Sequence, residues 1–533
     1  MKTKNGFNKF LTGFLLITAI LVSCNKDVSV TGIDLDKVTS EIMVGANLNL
    51  TVIFTPVDAT NNNIIWESSD NNIATVNNGV VTGVSLGKAI IKATFEENNT
   101  LQVSCEVTVI PSNGQQITVS GDITTDTRWY DNARYFLSGF VYVKNNATLT
   151  IEPGTIIKGV SGTKGALIIE RGSKIMAQGT QTKPIVFTSD KPKGQRSYGD
   201  WGGLVICGNA PTNKHDNGTG VGIAEGGIGS VYGGNNTSDN SGTLQYVRIE
   251  FPGIPLTATA NSEINGLTLY SVGSATTIDH VQVSYSGDDS FEWFGGNVNA
   301  KFLVAFRGWD DDFDTDNGFI GKVQFFVSLR DPAIADQSQS NGFESDNDAD
   351  GSTLTPVTAP IFCNGTILGP LVTPSATINS LYRNAIHIRR GSRLSIYNSV
   401  FAGWANGLYI DGQKGDSPSQ ATANVLQIEN CVMSGMTANY NTTYLTDAEA
   451  WFTSTSRNNE ILATNDLLQL SNPFVLTSPD FLPATASPLL AGGAFTNTRL
   501  TDSFFTSTTY RGAFGATDWT SGWCNFDPQN ADY

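Results

Sequence analysis

Two acidic clusters stand near the middle of the chain. Gly287-Asp288-Asp289-Ser290-Phe291-Glu292 aligns with Trp309-Asp310-Asp311-Asp312-Phe313-Asp314 at a step of 22 residues, and Asp316 follows. Asp288, Asp289, Glu292, Asp310, Asp311, Asp312, Asp314 and Asp316 offer hard oxygens of the kind that hold Ca2+. A second run, Asp346-Asn347-Asp348-Ala349-Asp350-Gly351, matches the first half of a calcium loop, with glycine at the sixth place. Val357 stands where the bidentate Glu would be, so Ser352 or Glu344 would have to complete the shell. Asp346, Asp348 and Asp350 therefore join the candidate ligands of a structural calcium ion. Paired carboxylates are also the machinery of glycoside hydrolysis, and Arg389, Arg390 or Arg393 could act as a lyase base. Two other uses stay open: acids bonding the turns they sit in, and arginines pairing with nearby acids. No Ser-His-Asp or Cys-His arrangement is visible, and the residues single out no catalytic group.

The elements that must position these acids are short strands. Val281/Val283/Tyr285 alternates ahead of the first cluster and Leu303/Ala305/Arg307 ahead of the second, and Phe325/Val327/Leu329 extends the same step. A period near 20 residues with short β-runs marks a solenoid. Strands stacked about 4.8 Å apart turn positions 22 apart into vertical neighbours. The acids then share one column. Two like charges at that distance repel by roughly 1 kcal/mol in water and about 3–4 kcal/mol at an effective dielectric of 20. A cation, protonation or rotation into water must relieve them.

Composition agrees with an all-β chain. The 533 residues include 54 glycines and 19 prolines, and long helical periodicity is hard to find. A formal charge of −17 argues against nucleic acid as a partner, because phosphate contacts need clustered Lys and Arg. Cys24, Cys105, Cys207, Cys363, Cys431 and Cys524 are widely spread with no C-x-x-C pair, which argues against a zinc knuckle or redox motif. Cys105 reads as a small core residue in an alternating strand.

At the N-terminus, Lys2, Lys4 and Lys9 precede an apolar run from Phe10 to Val22, which is too short for a stable membrane span. The run ends in Leu21-Val22-Ser23-Cys24, which resembles the bacterial lipobox. That resemblance implies a signal peptide at 1–23, lipidation of Cys24 and a lipidated tether at 24–30. Asn25-Lys26-Asp27 resembles a short export signal of Bacteroidetes lipoproteins, which implies the outer face of the outer membrane.

Residues 31–111 form one unit of short alternating strands. Phe54-Thr55-Pro56, Ile65-Trp66-Glu67-Ser68-Ser69-Asp70, Ala74-Thr75-Val76 and Gly79-Val80-Val81-Thr82-Gly83 resemble the bacterial Ig-like domain of group 2. The resemblance implies a β-sandwich with Trp66 in its core, most often used as a spacer. From 112 to 533 the phrases TLTIEPGTII and GALIIERGSKIMAQGT resemble coil starts of a right-handed parallel β-helix, the shape of the pectate lyases. Residues 199–234 read as a glycine-rich insertion without clear strands and without a phosphate-binding loop. Asn398 and Asn430, 32 residues apart, read as left-handed corner positions. The aromatic stretch around Tyr510, Trp519 and Trp523 reads as a cap over the open end.

The phrases GDWGGLVICGNAP, DNSGTLQYVRIEFPG, INGLTLYSVGSATTIDHVQVSYSGDDSFEWFGG and HIRRGS resemble outer-membrane lipoproteins of Bacteroidetes and spirochaetes. That likeness implies a surface β-helix, with a TonB-dependent receptor or a surface glycan as partner. GDDSFEW and HIRRGS also echo polygalacturonase-like enzymes, whose Asn-Thr-Asp and Gly-His-Gly motifs are absent. The expectation is a lipid-anchored, non-enzymatic binding or assembly protein. A calcium-dependent polysaccharide lyase or glycoside hydrolase is the first alternative, and an adhesin the second.

Overall fold

The computed structural model describes residues 27–216, 218–225, 227–255 and 263–533. Cys24, expected to be lipidated, lies outside these residues. The chain divides between Ser112 and Asn113 into two compact units.

The first unit is a small sandwich. Thr39–Met43, Gln102–Ile110, Gly87–Phe95 and Ile64–Ser68 form one sheet, and Asn47–Asn49, Val80–Gly83 and Ala74–Asn77 another. Alternation places Ala74, Val81, Ile91, Cys105 and Val107 in its core with no exposed surface. Trp66 departs from the expectation. It sits on an edge strand and is only partly buried, packed against the core from the side.

The second unit is a parallel β-helix. Its principal sheet has 26 strands, and every pairing in the coils that carry the acids is parallel. Each middle coil supplies one long strand, such as Thr277–Ser284, Asn299–Phe306, Lys322–Leu329 or Ile361–Leu368, and then a short one. The long strands bend at a residue of positive φ: His280, Phe302, Phe325 and Asn364, with Asn398 and Asn430 in later coils. The two asparagines expected at left-handed corners have φ of 52° and 57°. Bulky residues there are strained, and ring stacking offsets the cost. His280 lies on Phe302 at 4.3 Å and Phe302 on Phe325 at 5.1 Å between centroids.

Register corrects one detail of the 22-residue repeat. Val281 pairs Leu303, but Leu303 pairs Phe326, a step of 23. Phe294 still pairs Asp316 at 22, so the extra residue falls in the turn at 317–322. A one-residue slip exchanges the faces of a strand. Phe326 points into the coil interior, whereas Val327 and Leu329 point outward. They remain buried because the C-terminal segment covers that outer face.

The same segment corrects the expected cap. Gly512 N donates to Asn398 O at 2.7 Å, Thr506 N to Gln324 Oε1 at 2.8 Å, and Asn525 N to Gln282 Oε1 at 2.8 Å. Tyr533 Oη then reaches Glu250 at 2.6 Å. The tail therefore runs back along the side of the helix towards its first coils instead of closing the end. The glycine-rich stretch also holds a strand, Gly203–Cys207, with all five residues buried. Burial on both faces removes the alternation that would have announced it.

Candidate cation-binding carboxylate face

The short strands build the site. Leu267–Tyr270, Phe291–Phe294, Phe313–Asp316, Phe343–Ser345, Asn384–Ile388 and Asn406–Ile410 stack in parallel. Phe291, Phe313 and Phe343 point inward, with centroids 5.6 and 5.4 Å apart. The next residue of each strand must then face out. The outward column reads Thr268, Glu292, Asp314, Glu344, His387, Tyr409 from coil to coil.

Beside it runs a second column from the preceding turns, in which each side chain caps the coil above. Asp289 Oδ1 accepts from Asp311 N at 2.8 Å. Asp311 Oδ1 accepts from Asn341 N in a very short bond, and Asn341 Oδ1 accepts from Asn384 N at 3.1 Å. One position thus performs one backbone task in three successive coils, twice with Asp and once with Asn.

The two columns bring acids together in three overlapping groups: Asp288, Asp289 and Asp310; Asp289, Glu292 and Asp314; Asp311, Asp314 and Glu344. Within each group one oxygen per residue lies within 4.8 Å of the others. Burial and mutual repulsion push the carboxyls of Asp288, Asp289, Glu292, Asp311, Asp314 and Asp316 well above the usual range. Burial also raises Asp310 to about 7, against a hydrogen bond from Ser338. Asp310 Oδ1 and Asp314 Oδ1 are buried without a hydrogen-bond partner among the described residues. Clustered hard oxygens, two of them unsatisfied, are the donor set that Ca2+ takes.

Five expected ligands lie elsewhere. Asp312 turns inward and meets Arg330 at 2.8 Å, both side chains fully buried. Asp316 bonds the backbone N and side-chain amide of Asn317 at 2.5 and 3.2 Å. Asp346 is held by Arg389 at 2.8 Å and Arg390 at 2.5 Å. Asp348 caps its own turn, accepting from Asp350 N at 3.0 Å and Ser352 N at 3.1 Å. Asp350 points into solvent, its side chain 92% exposed. The acids of the D-x-D-x-D-G run therefore diverge and do not form a calcium loop, because arginines take the first and the turn takes the second.

The upper end of the face balances its own charge. Arg389 pairs with Glu344 as well as Asp346. Burial would raise Glu344, but Arg389 and His387 outweigh it and hold the group below its ordinary value. His387 stands 3.5 Å from both Glu344 and Asp411. Burial opposes its charge, and these two carboxylates override that and raise its pKa. Of the three arginines expected to pair with acids, Arg389 and Arg390 do so and are not free as a base; Arg393 forms no ion pair among the described residues, and its Nε is buried without a hydrogen-bond partner. Sequence reasoning missed Glu344 as a column member, and with it His387 and Asp411. The signal was present for Glu344: Phe291-Glu292, Phe313-Asp314 and Phe343-Glu344 repeat the same inward–outward pair, at steps of 22 and 30.

With the coils and their outward acids established, comparison with known proteins places the chain. A model described as a pectate-lyase like beta helix domain matches residues 121–469. The chain belongs to that family. Residues 29–109 match the bacterial Ig-like domain of group 2. Curated relatives match only short stretches. An uncharacterized protein of Clostridium acetobutylicum is 35% identical over 86 residues, 16% of this chain and 9% of that protein. Another from the same organism is 35% identical over 81 residues, 15% and 20% of the two chains. An alpha-L-arabinofuranosidase of Bifidobacterium longum is 39% identical over 89 residues, 16% of this chain and 8% of that protein. The chain thus spans no more than a fifth of the length of these three relatives.

Proposed function

We propose that this β-helix protein is a lipid-anchored, surface-facing outer-membrane protein that binds glycan through a calcium-loaded carboxylate face. One observation carries the reading. Asn341 shows that an amide suffices for the capping task, yet Asp289 and Asp311 perform it with a charge. The charge is surplus to the fold and lies where burial makes it costly. A cation removes that cost and presents its open positions outward to ligand oxygens, above all to the carboxylates of a uronate-containing glycan. Asp288, Asp289, Glu292, Asp310, Asp311 and Asp314 would hold it. Membership of a pectate-lyase-like family and the stretch shared with an arabinofuranosidase support carbohydrate as the ligand class. The lipobox-like Leu21-Val22-Ser23-Cys24 supports the anchor.

A lyase or hydrolase is the second reading, favoured by the family. Two observations weigh against it. Oxygens within 4.8 Å of one another are spaced to share one ion, whereas glycosidase carboxyls stand roughly 5–9.5 Å apart across the sugar bond. Arg389 is committed to Glu344 and Asp346. A screen of uronate-containing and neutral polysaccharides, with calcium and with EDTA, separates the readings. Calcium-dependent retention without cleavage supports binding. New reducing ends or unsaturated products establish the enzyme. If neither occurs while a TonB-dependent receptor co-purifies with the protein, glycan is replaced by the receptor as partner. Cys24→Ser should move the protein from the membrane to the soluble fraction.

A further inference from the structure

Among the described residues two aromatic side chains stay exposed, Trp309 at 39% and Tyr444 at 40%. Both border the carboxylate face. Trp309 sits in the turn that leads into Phe313–Asp316, next to Asp310 and its group with Asp288 and Asp289. Its frame is fixed. Its backbone N–H donates to Ser286 O at 2.8 Å, its carbonyl accepts from Ser340 Oγ at 2.8 Å, and its indole N–H donates to Ala335 O at 2.9 Å. Tyr198 meets the indole at 61° with centroids 5.8 Å apart, so it props the ring without stacking over it. Tyr444 ends a pile of rings on the outward column. His387 lies on Tyr409 at 4.8 Å and 12°, and Tyr409 on Tyr444 at 6.4 Å and 24°. Tyr444 is thus held on one side while much of it still meets solvent.

Large rings that are held in place yet left in water are suited to meet a partner. Four parallel pairings separate the coil of Trp309 from the coil that leads to Tyr444, about 19 Å at about 4.8 Å per coil. Between the rings the outward column offers Asp314, Glu344, His387 and Tyr409, groups that bond hydroxyls and charges. The strands from Phe313–Asp316 to Asn406–Ile410 are each paired on both sides, so no free backbone edge awaits an extended peptide. Apolar footholds at the ends with polar groups between them match a chain of rings that have C–H faces and hydroxyl edges. We infer that the face takes an extended polysaccharide laid along the helix axis, one sugar ring stacked on Trp309 at the calcium end and another on Tyr444 at the far end. The inference rests on the glycan reading above and adds the ligand's course, its minimum length and the two residues that grip it. A single sugar reaches only one ring, whereas a chain that spans both makes the second contact intramolecular.

The test is calorimetric titration of the full chain in calcium with polygalacturonate, alginate and glucuronoxylan, then with size-fractionated fragments of whichever polymer binds. Affinity should rise at least tenfold between the monosaccharide and fragments long enough to touch both rings, and then level off. Trp309→Ala and Tyr444→Ala should each weaken polymer binding at least tenfold. Trp309→Phe and Tyr444→Phe keep a ring and should retain most of it. Calcium titration without glycan should match the parent in all four variants, which separates lost stacking from a damaged ion site. Polymer binding that survives both alanine variants overturns the inference and leaves the glycan reading standing, as does an affinity independent of chain length. Polymer binding lost together with calcium affinity also overturns it, because the rings would then act through the fold. A parent that binds none of the three polymers in calcium overturns the glycan reading and the inference together.

Discussion

Replacing Asp289 and Asp311 by Asn tests the surplus-charge argument at its source. Each Asn keeps an oxygen in place for the N–H above, as Asn341 does for Asn384 at 3.1 Å. The charge is removed, and the second carboxylate oxygen becomes an NH2. Like charges about 4.8 Å apart repel by about 3–4 kcal/mol at an effective dielectric of 20. The recoverable part lies between that and the roughly 1 kcal/mol of bulk water, on the order of 2 kcal/mol. With about 2.1 cal/mol/K of unfolding entropy per residue over Asn113–Tyr533, that is on the order of 2 °C. In EDTA at pH 7.5 the double variant should therefore melt about 2 °C above the parent. Calcium at a hundred times its Kd should raise the parent by about 2.7 kcal/mol, and the variant by far less, so the order of melting reverses. Differential scanning fluorimetry reads both effects, and calorimetric titration reads the lost affinity. A variant less stable than the parent in EDTA would refute the reasoning, because repulsion would then not be stored there. A parent indifferent to calcium would refute the ion.

Other expectations follow from the same geometry. Carboxyls raised above their unfolded values bind extra protons in the folded state, so stability without calcium should fall as pH rises from about 4 through 7. Asp288, Asp289, Glu292, Asp310, Asp311, Asp314 and Asp316 all act in this direction. Glu225, Glu263, Asp336 and Glu344 face them with the same sign, against Lys214 and Arg330. Raised His387 adds a term that is present below pH 6.5 and lost above its folded value. A pH series of melts in EDTA should slope downward and flatten in calcium; an upward slope would contradict the assignment. Asp312→Ala strands a fully buried Arg330 and should cost about 3–5 kcal/mol in calcium and EDTA alike, read by urea unfolding. Asp350→Ala removes a solvent-facing carboxylate and should leave calcium affinity unchanged by titration, whereas Asp314→Asn should weaken it at least tenfold.

Much of the architecture was legible because a solenoid writes its geometry as periodicity. The Phe-acid pairs at 291–292 and 313–314 give inward and outward faces directly, and the structure keeps them in register. What escaped was everything set by insertions. The coil after Asp316 lengthens, so Glu344 lies 30 positions past Asp314 and His387 lies 43 past Glu344, yet each sits directly above the last. A fixed step cannot find them, whereas the repeated Phe-acid pair can find Glu344. The extra residue at 317–322 reversed the faces of Lys322–Leu329, and the tail hid this by burying the outer face too. The D-x-D-x-D-G run misled for a different reason. A local pattern states which ligands are available but not which arginines arrive from the next coil to take them, as Arg389 and Arg390 do with Asp346.

That competition also says where the proposed ion would sit. The face is one continuous surface with two electrostatic regimes. From Glu344 upward, Arg389, Arg390 and His387 answer Glu344, Asp346 and Asp411, and the region needs nothing further. Below it, among the described residues, Asp288, Asp289, Glu292, Asp310, Asp311 and Asp314 form no ion pair. Arg330, whose charge reaches Asp310 and Asp311, is spent on Asp312 inside the coil, and among the described residues Asp310 Oδ1 and Asp314 Oδ1 have no hydrogen-bond partner. Desolvation makes uncompensated charge costly in proportion to burial, so the deficit is largest between Asp289 and Asp314. A cation placed there corrects the imbalance, while one placed at Glu344 would have to displace Arg389. The same logic fixes the direction of a bound chain. Under the proposed function, a glycan carboxylate would gain from the calcium end, and the arginine and histidine end would offer it hydrogen-bond donors that are already charge-balanced. Recognition should therefore depend on acids in the lower coils and tolerate neutral sugars in the upper ones.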